Sequence, residues 1–173
     1  LAGLENLVDA GAFDSMNSHR RDIRWEMGLR YRPVNRQISL SLPIKQDMVD
    51  LPKQTEWEEM VNEYKTMGIY PRSHIMTFFR PQLRGTMTSR DMPFLEEGAE
   101  VWVAGMLIRK QRPLGRSVFI TLEDEYGHIP LMVFPGIYAR YRDLFNQSLL
   151  IIRGIVSRKD GTMNIHVTDA RHL

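Results

Sequence analysis

Apolar side chains recur along this chain with two different periods, and the change of period divides it. The first part has helical spacing. Leu4, Leu7 and Val8 share one face of a segment that Gly11 ends, glycine being the residue best suited to a left-handed helix stop. A second helix is expected after Asn17 or Ser18, either of which can cap it, with Ile23, Met27 and Tyr31 recurring every fourth residue. Thr55-x-x-Glu58 spells a capping box, and Trp57, Met60, Val61, Tyr64 and Met67 follow at helical spacing until Gly68, a stripe expected to be core. Between Pro71 and Pro81 a loop and a short apolar piece are expected. His74 in this stretch has no sequence partner that would make it a ligand.

From Ala99 onward the period becomes two. "AEVWVAGMLIRKQ" reads as a strand, "RSVFITLEDEYGHIPLMVF" as two strands joined by Asp124-Glu125-Tyr126-Gly127, and "PGIYARYRDLF" as a helix started by Pro135. "SLLIIRGIVSRKDGTMNIHVTDARHL" reads as a hairpin turned at Asp160-Gly161. Three strands, a helix and two strands is the order of the OB-fold, a five-stranded barrel. The chain is therefore expected to be α+β, with a helical N-terminal part followed by an OB-fold β-barrel. Residues 1–32 read as the end of a helix-hairpin-helix-like module, 33–54 as a linker, 55–97 as a helical connector and 98–173 as the OB domain. Along the second strand, alternation sends Val118, Ile120 and Leu122 inward and Phe119, Thr121 and Glu123 outward. His128, Pro130 and Met132 share the outward phase on the third. Outward Phe119 is either a stacking platform for a nucleobase or a packing contact for the preceding helical segment. Glu123-Asp124-Glu125 reads as the solvated end of a hairpin and carries no metal or catalytic role.

Composition narrows the class. With 43% hydrophobic and 25% charged residues the chain can build a packed core. Neither an uninterrupted apolar run long enough to span a bilayer nor a signal peptide is readable, so no membrane role is expected. The absence of cysteine excludes disulfides and thiolate metal sites and is compatible with a cytoplasmic location. Leu1 stands in what reads as the middle of a helix, so a piece of something longer is expected.

The net charge is only +2, yet the 23 Lys and Arg residues cluster. One cluster is His19-Arg20-Arg21, a second runs from Arg30 to Arg36, a third is Arg109-Lys110-Gln111-Arg112 with Arg116, and a fourth is Arg158-Lys159. The last two fall at the loops joining strands 1 to 2 and 4 to 5, where OB-folds contact single-stranded nucleic acid. Arg109, Lys110, Arg112, Arg116, Phe119, Arg158 and Lys159 are thus the candidate single-strand contacts. Gly11, His19, Arg20 and Arg21 are candidates for a duplex phosphate, presented at a helix start. A purely structural hairpin fits the same four residues, since Gly11-Ala12-Phe13 departs from the Gly-hydrophobic-Gly form.

One short run fits neither period-based segment. In Gln37-Ile38-Ser39-Leu40-Ser41-Leu42 the three apolar residues share a face of an extended segment flanked by Pro33, Pro43 and Pro52. It is either a strand or a peptide for another protein's groove.

"LENLVDAGAFD", "MGIYPRSHIMTFFRPQL" and "VAGMLIRKQRPLGRSVFITLEDEYGHIPLMVFP" resemble, in order, the C-terminal part of the bacterial C-family DNA polymerases, the DNA polymerase III alpha-subunit family. Arg109-Lys110-Gln111-Arg112-Pro113 and the stretch around His74 are more similar to its error-prone, translesion branch than to the replicative one. The resemblance implies a sliding-clamp peptide at Gln37, Ile38, Leu40 and Leu42, similar to the family motif Gln-Leu-Ser-Leu-Pro-Leu but with Ser41 in place of proline. It implies a parent enzyme that extends primers by two-metal phosphoryl transfer, with Mg2+ in a catalytic domain outside this chain. No catalytic residue and no cofactor is expected here. The implied partners are single-stranded and primer-template DNA, the clamp and translesion accessory proteins. Two other readings of the barrel stand beside this one, a tRNA-anticodon-binding domain and a protein-interaction module contacting another subunit.

Overall fold

The computed structural model describes residues 1–31, 49–113, 117–159 and 161–173. The four clamp-peptide positions Gln37, Ile38, Leu40 and Leu42, together with Arg116 and Asp160, lie outside the described residues. The chain divides into two compact units, Leu1–Pro71 and Arg72–Leu173, so the boundary falls within the stretch read as a connector.

In the first unit, helix α1 (Ala2–Asp9) packs against α2 (Arg20–Arg30) and α3 (Glu56–Met67). Gly11 ends α1 as expected. Its φ of 77° lets its N–H reach the Val8 carbonyl at 3.0 Å while the Ala12 N–H reaches that of Leu7 at 2.9 Å. The start of α2 differs from expectation. His19 occupies the cap position because the Asn17 side chain accepts the His19 N–H at 2.8 Å, a local turn that delays the helix. Helix α3 has the expected capping box, with Glu58 N–H to Thr55 Oγ1 at 3.2 Å and Thr55 N–H to Glu58 Oε2 at 2.9 Å, and stops at left-handed Gly68. Its expected apolar stripe is only partly core. Met60 is fully buried, but Trp57 and Met67 are 41% and 40% exposed. The helix is turned instead so that Glu63 points inward, where it meets a buried cation.

In the second unit, strands β1 (Glu100–Gln111), β2 (Val118–Glu123), β3 (His128–Val133), β4 (Leu149–Lys159) and β5 (Thr162–His172) close a barrel in the order β1-β2-β3-β5-β4. The β3–β5 pairing is parallel and the others are antiparallel. Alternation fills the interior with Val101, Val103, Val118, Ile120, Leu122, Ile129, Leu131, Ile152 and Ile165. Helix α5 (Pro135–Arg140) follows β3, with Pro135 at its first position. Gly154 permits the corner of the barrel, since a Cβ there would strike the Ile165 side chain and the His166 carbonyl, the latter at 2.6 Å.

The segment before the barrel covers its outer surface. Helix α4 (Met76–Phe79) and Leu83 bury Ala104 of β1, with Leu149 and Ile151 alongside. The β2–β3 hairpin is not the solvated end that three adjacent acids suggested. Asp124 is buried and accepts from the Ser89 N–H and hydroxyl, both at 2.6 Å, and from the Tyr126 and Gly127 N–H groups. Glu125 takes a two-pronged bond from Arg80 at 2.6 and 2.7 Å.

Candidate nucleic-acid interface

The site is built from strand register. Val118, Ile120 and Leu122 are buried in the barrel, so Phe119 must point out, and it is 36% exposed. Phe119 faces Gln111 on β1 and Met132 on β3, Met132 faces His166 on β5, and His166 faces Ile155 on β4. Facing residues share a side of the sheet. The result is one continuous outward row, Gln111, Phe119, Met132, His166 and Ile155. Phe134, just past β3 and 44% exposed, meets the His166 ring edge-on at 5.2 Å and 80°. Two exposed aromatic rings thus flank a thioether and an imidazole, surfaces on which nucleobases can stack without sequence preference.

The basic candidates separate into different roles. With the Gln111 amide oriented to accept, Arg109 Nε and a terminal nitrogen lie 3.0 and 2.6 Å from its oxygen, at the end of the outward row. Lys110 donates to the Phe145 carbonyl at 3.1 Å and to Asn146 Oδ1 at 2.7 Å, which ties β1 to the turn before β4. The Arg112 guanidinium stands over the Tyr138 ring, 5.9 Å from its centroid. Arg158 is held at home. Its guanidinium donates to the carbonyls of Leu95, Met92 and Pro93, and its N–H to the Glu97 carboxylate. Lys159 is exposed beside the β4–β5 turn.

At the N-terminal cluster, Arg20 is a structural hub and not the phosphate contact its position suggested. Its side chain is 2% exposed, and it donates to both carboxylate oxygens of Asp14 at 2.8 and 2.5 Å, to Glu63 at 2.6 Å and to the Asp9 carbonyl at 3.0 Å. The Asp14 bonds, opposed in part by burial and joined by Glu63, hold its pKa above the ordinary arginine range. Gly11 serves this hub, because a Cβ there would meet the Arg20 guanidinium and Asp14 Oδ2, the latter at 2.8 Å. Arg21 bonds the Pro52 carbonyl and Glu58, each at 2.8 Å, and His19 lies 3.5 Å from Asp22.

Phe134, Met132 and His166 as neighbours were not foreseen as a site. Met132 had the outward phase, and Phe134 shares it two residues on. The pairing of β3 with β5, which brings His166 beside them, joins residues far apart in sequence and leaves no local signal. His74 Nδ1 accepts the Met76 N–H at 3.2 Å, while its buried Nε2 lies 3.9 Å from Glu123 with no hydrogen-bond partner among the described residues. Among the described residues no group of three His, Asp or Glu side chains could hold a metal ion, and no helix is long and apolar enough to cross a membrane.

Residues 101–173 match the family of OB-fold nucleic acid binding domains, which agrees with the barrel and with the aromatic row on its surface. The chain is, moreover, similar along nearly all of its length to proteins named error-prone DNA polymerase. It is 32% identical to "Error-prone DNA polymerase" of Caulobacter vibrioides over 94% of this chain, and 34% identical to that of Xanthomonas campestris pv. campestris over 96% of it. It spans 16% of the length of each. The matched family is one of nucleic-acid-binding domains, and the relatives are DNA polymerases by name. Asparaginyl-tRNA synthetase from Pyrococcus horikoshii superposes with a TM-score of 0.45 at 21% identity, over 53% of this chain and 23% of that one.

Proposed function

We propose that this chain is the template-handling region of an error-prone DNA polymerase. Its barrel guides single-stranded DNA, and Gln37, Ile38, Leu40 and Leu42 tether it to the sliding clamp during translesion synthesis. The observation that carries the single-strand role is the outward row centred on Phe119, with Arg109 and Arg112 at one end. Bases stack on exposed rings while nearby cations meet the backbone, and only a few such anchors dominate the energy. The clamp role is supported by the peptide's sequence pattern, an amide followed by apolar residues at alternate positions. The duplex-holding role considered for residues 1–32 loses Arg20 to its buried carboxylates and would fall to His19 and Arg21.

Fluorescence anisotropy of a labelled single strand of ~20 nucleotides tests the barrel. Binding should weaken by ~1 to 3 kcal/mol, about 5- to 150-fold, in Phe119→Ala. Unweakened binding in that variant, or a preference for tRNA over single-stranded DNA, would overturn it. For the clamp peptide, calorimetry of Gln37→Ala with Leu40→Ala should show clamp affinity lost; unchanged affinity would remove the tether.

A further inference from the structure

Beyond the end of the outward row lies a groove of about 290 Å3, lined by Arg112, Pro135, Tyr138, Ala139 and Arg142. Both of its charged residues are arginine and both are exposed. Among the described residues neither is paired with a carboxylate, which sets them apart from Arg20, Arg80 and Arg153. The floor is firm. Tyr138 stacks on the fully buried Phe145, with ring centroids 5.9 Å apart and planes 2° from parallel. Arg112, held over that ring, is oriented before any ligand arrives. The groove also continues the outward row, because Phe134, which closes edge-on against His166, immediately precedes Pro135.

Guanidinium groups present forked donors that match phosphate oxygens, and two of them on one groove suit a phosphodiester better than a neutral base. We propose that this groove is a second subsite for the single strand, a backbone clamp in which Arg112 and Arg142 hold the phosphate of a nucleotide that has passed Phe119. The subsite rests on the single-strand role of the barrel, yet it makes a separate prediction. Stacking at Phe119 is insensitive to salt, whereas each phosphate contact releases counterions.

The test is the salt dependence of affinity for a labelled strand of ~20 thymidines, using the full 173-residue chain. Each phosphate contact on a single strand contributes about 0.7 to the slope of log K against log salt. Arg142→Ala should therefore flatten the slope by ~0.7 and Arg112→Ala/Arg142→Ala by ~1.4, with Arg142→Lys close to the parent. Phe119→Ala should weaken binding at every salt concentration and leave the slope unaltered. Arg112 and Arg142 are both exposed and Arg112 gives up only its contact with the Tyr138 ring, so these variants should melt close to the parent, and a melting scan verifies it. If Phe119→Ala weakens binding while the double arginine variant keeps the parent slope, the groove is no subsite and the barrel's role survives. If the parent chain binds no single strand at any salt concentration, both are wrong.

Discussion

Arg20 and Glu63, 43 residues apart in the chain, meet at 2.6 Å with side chains only 2% and 4% exposed. A buried charge is tolerated only when paired and hydrogen-bonded, and this pair joins the start of α2 to the middle of α3. Glu63→Ala should destabilise the helical unit by ~1 to 3 kcal/mol, the cost of one lost buried charge-assisted hydrogen bond, because Arg20 keeps its two bonds to Asp14. Denaturant unfolding checks this, and an unchanged midpoint in Glu63→Ala would show that the pair does not hold the helices together.

Gly154 is required by close approach and not by an unusual φ. A methyl group there would collide with Ile165 and the His166 carbonyl across the β4–β5 bulge. Gly154→Ala should cost ~1 to 3 kcal/mol through overpacking. In a unit of this size each kcal/mol lowers the melting temperature by roughly 4 to 8 °C. Calorimetry of the variant reads this out directly.

Acid should loosen the segment that precedes the barrel. Asp91 accepts the Thr88 N–H at 2.8 Å and the Thr88 hydroxyl at 2.7 Å, and these bonds hold its pKa below the ordinary aspartate value. Because the folded value is the lower one, the stabilisation is complete above the unfolded-chain pKa and is lost as pH falls through the folded one. Melting temperature followed from pH 6 down to about 2 should therefore fall less steeply in Asp91→Asn than in the parent. Equal slopes would exclude Asp91 as a contributor.

Much of the barrel was legible because its signals are local. Strict alternation along β2 named the inward and outward residues, and Pro135 marked the first turn of α5. The capping box at Thr55 and the helix stop at Gly11 were legible for the same reason. What escaped depended on distant partners. Its charge and its place at a helix start made Arg20 a phosphate candidate, and nothing near it in sequence announces that Glu63 will cover it. Three adjacent acids read as a solvated turn because the Arg80 and Ser89 that bury two of them lie on another segment. The same limit hid His166 from Phe134.

Arg158 and Lys159 are adjacent in sequence but should behave differently. Arg158 gives its guanidinium to the backbone of residues 92–95, so Arg158→Ala should lower barrel stability by about 1 kcal/mol, an ordinary value for exposed hydrogen bonds. Lys159→Ala should leave stability within ~0.5 kcal/mol, as surface substitutions usually do, while weakening single-strand binding in a salt-dependent way. Paired melting and binding curves separate the two.

The most direct measurement is photo-crosslinking of a single strand carrying 5-iodouracil, followed by mass spectrometry of the modified peptide. A base stacked on the outward row should link to Phe119, with Phe134 or His166 as secondary sites. Crosslinks confined to the opposite face around Trp102, or none under conditions where the strand is bound, would contradict the assignment of this barrel face to DNA.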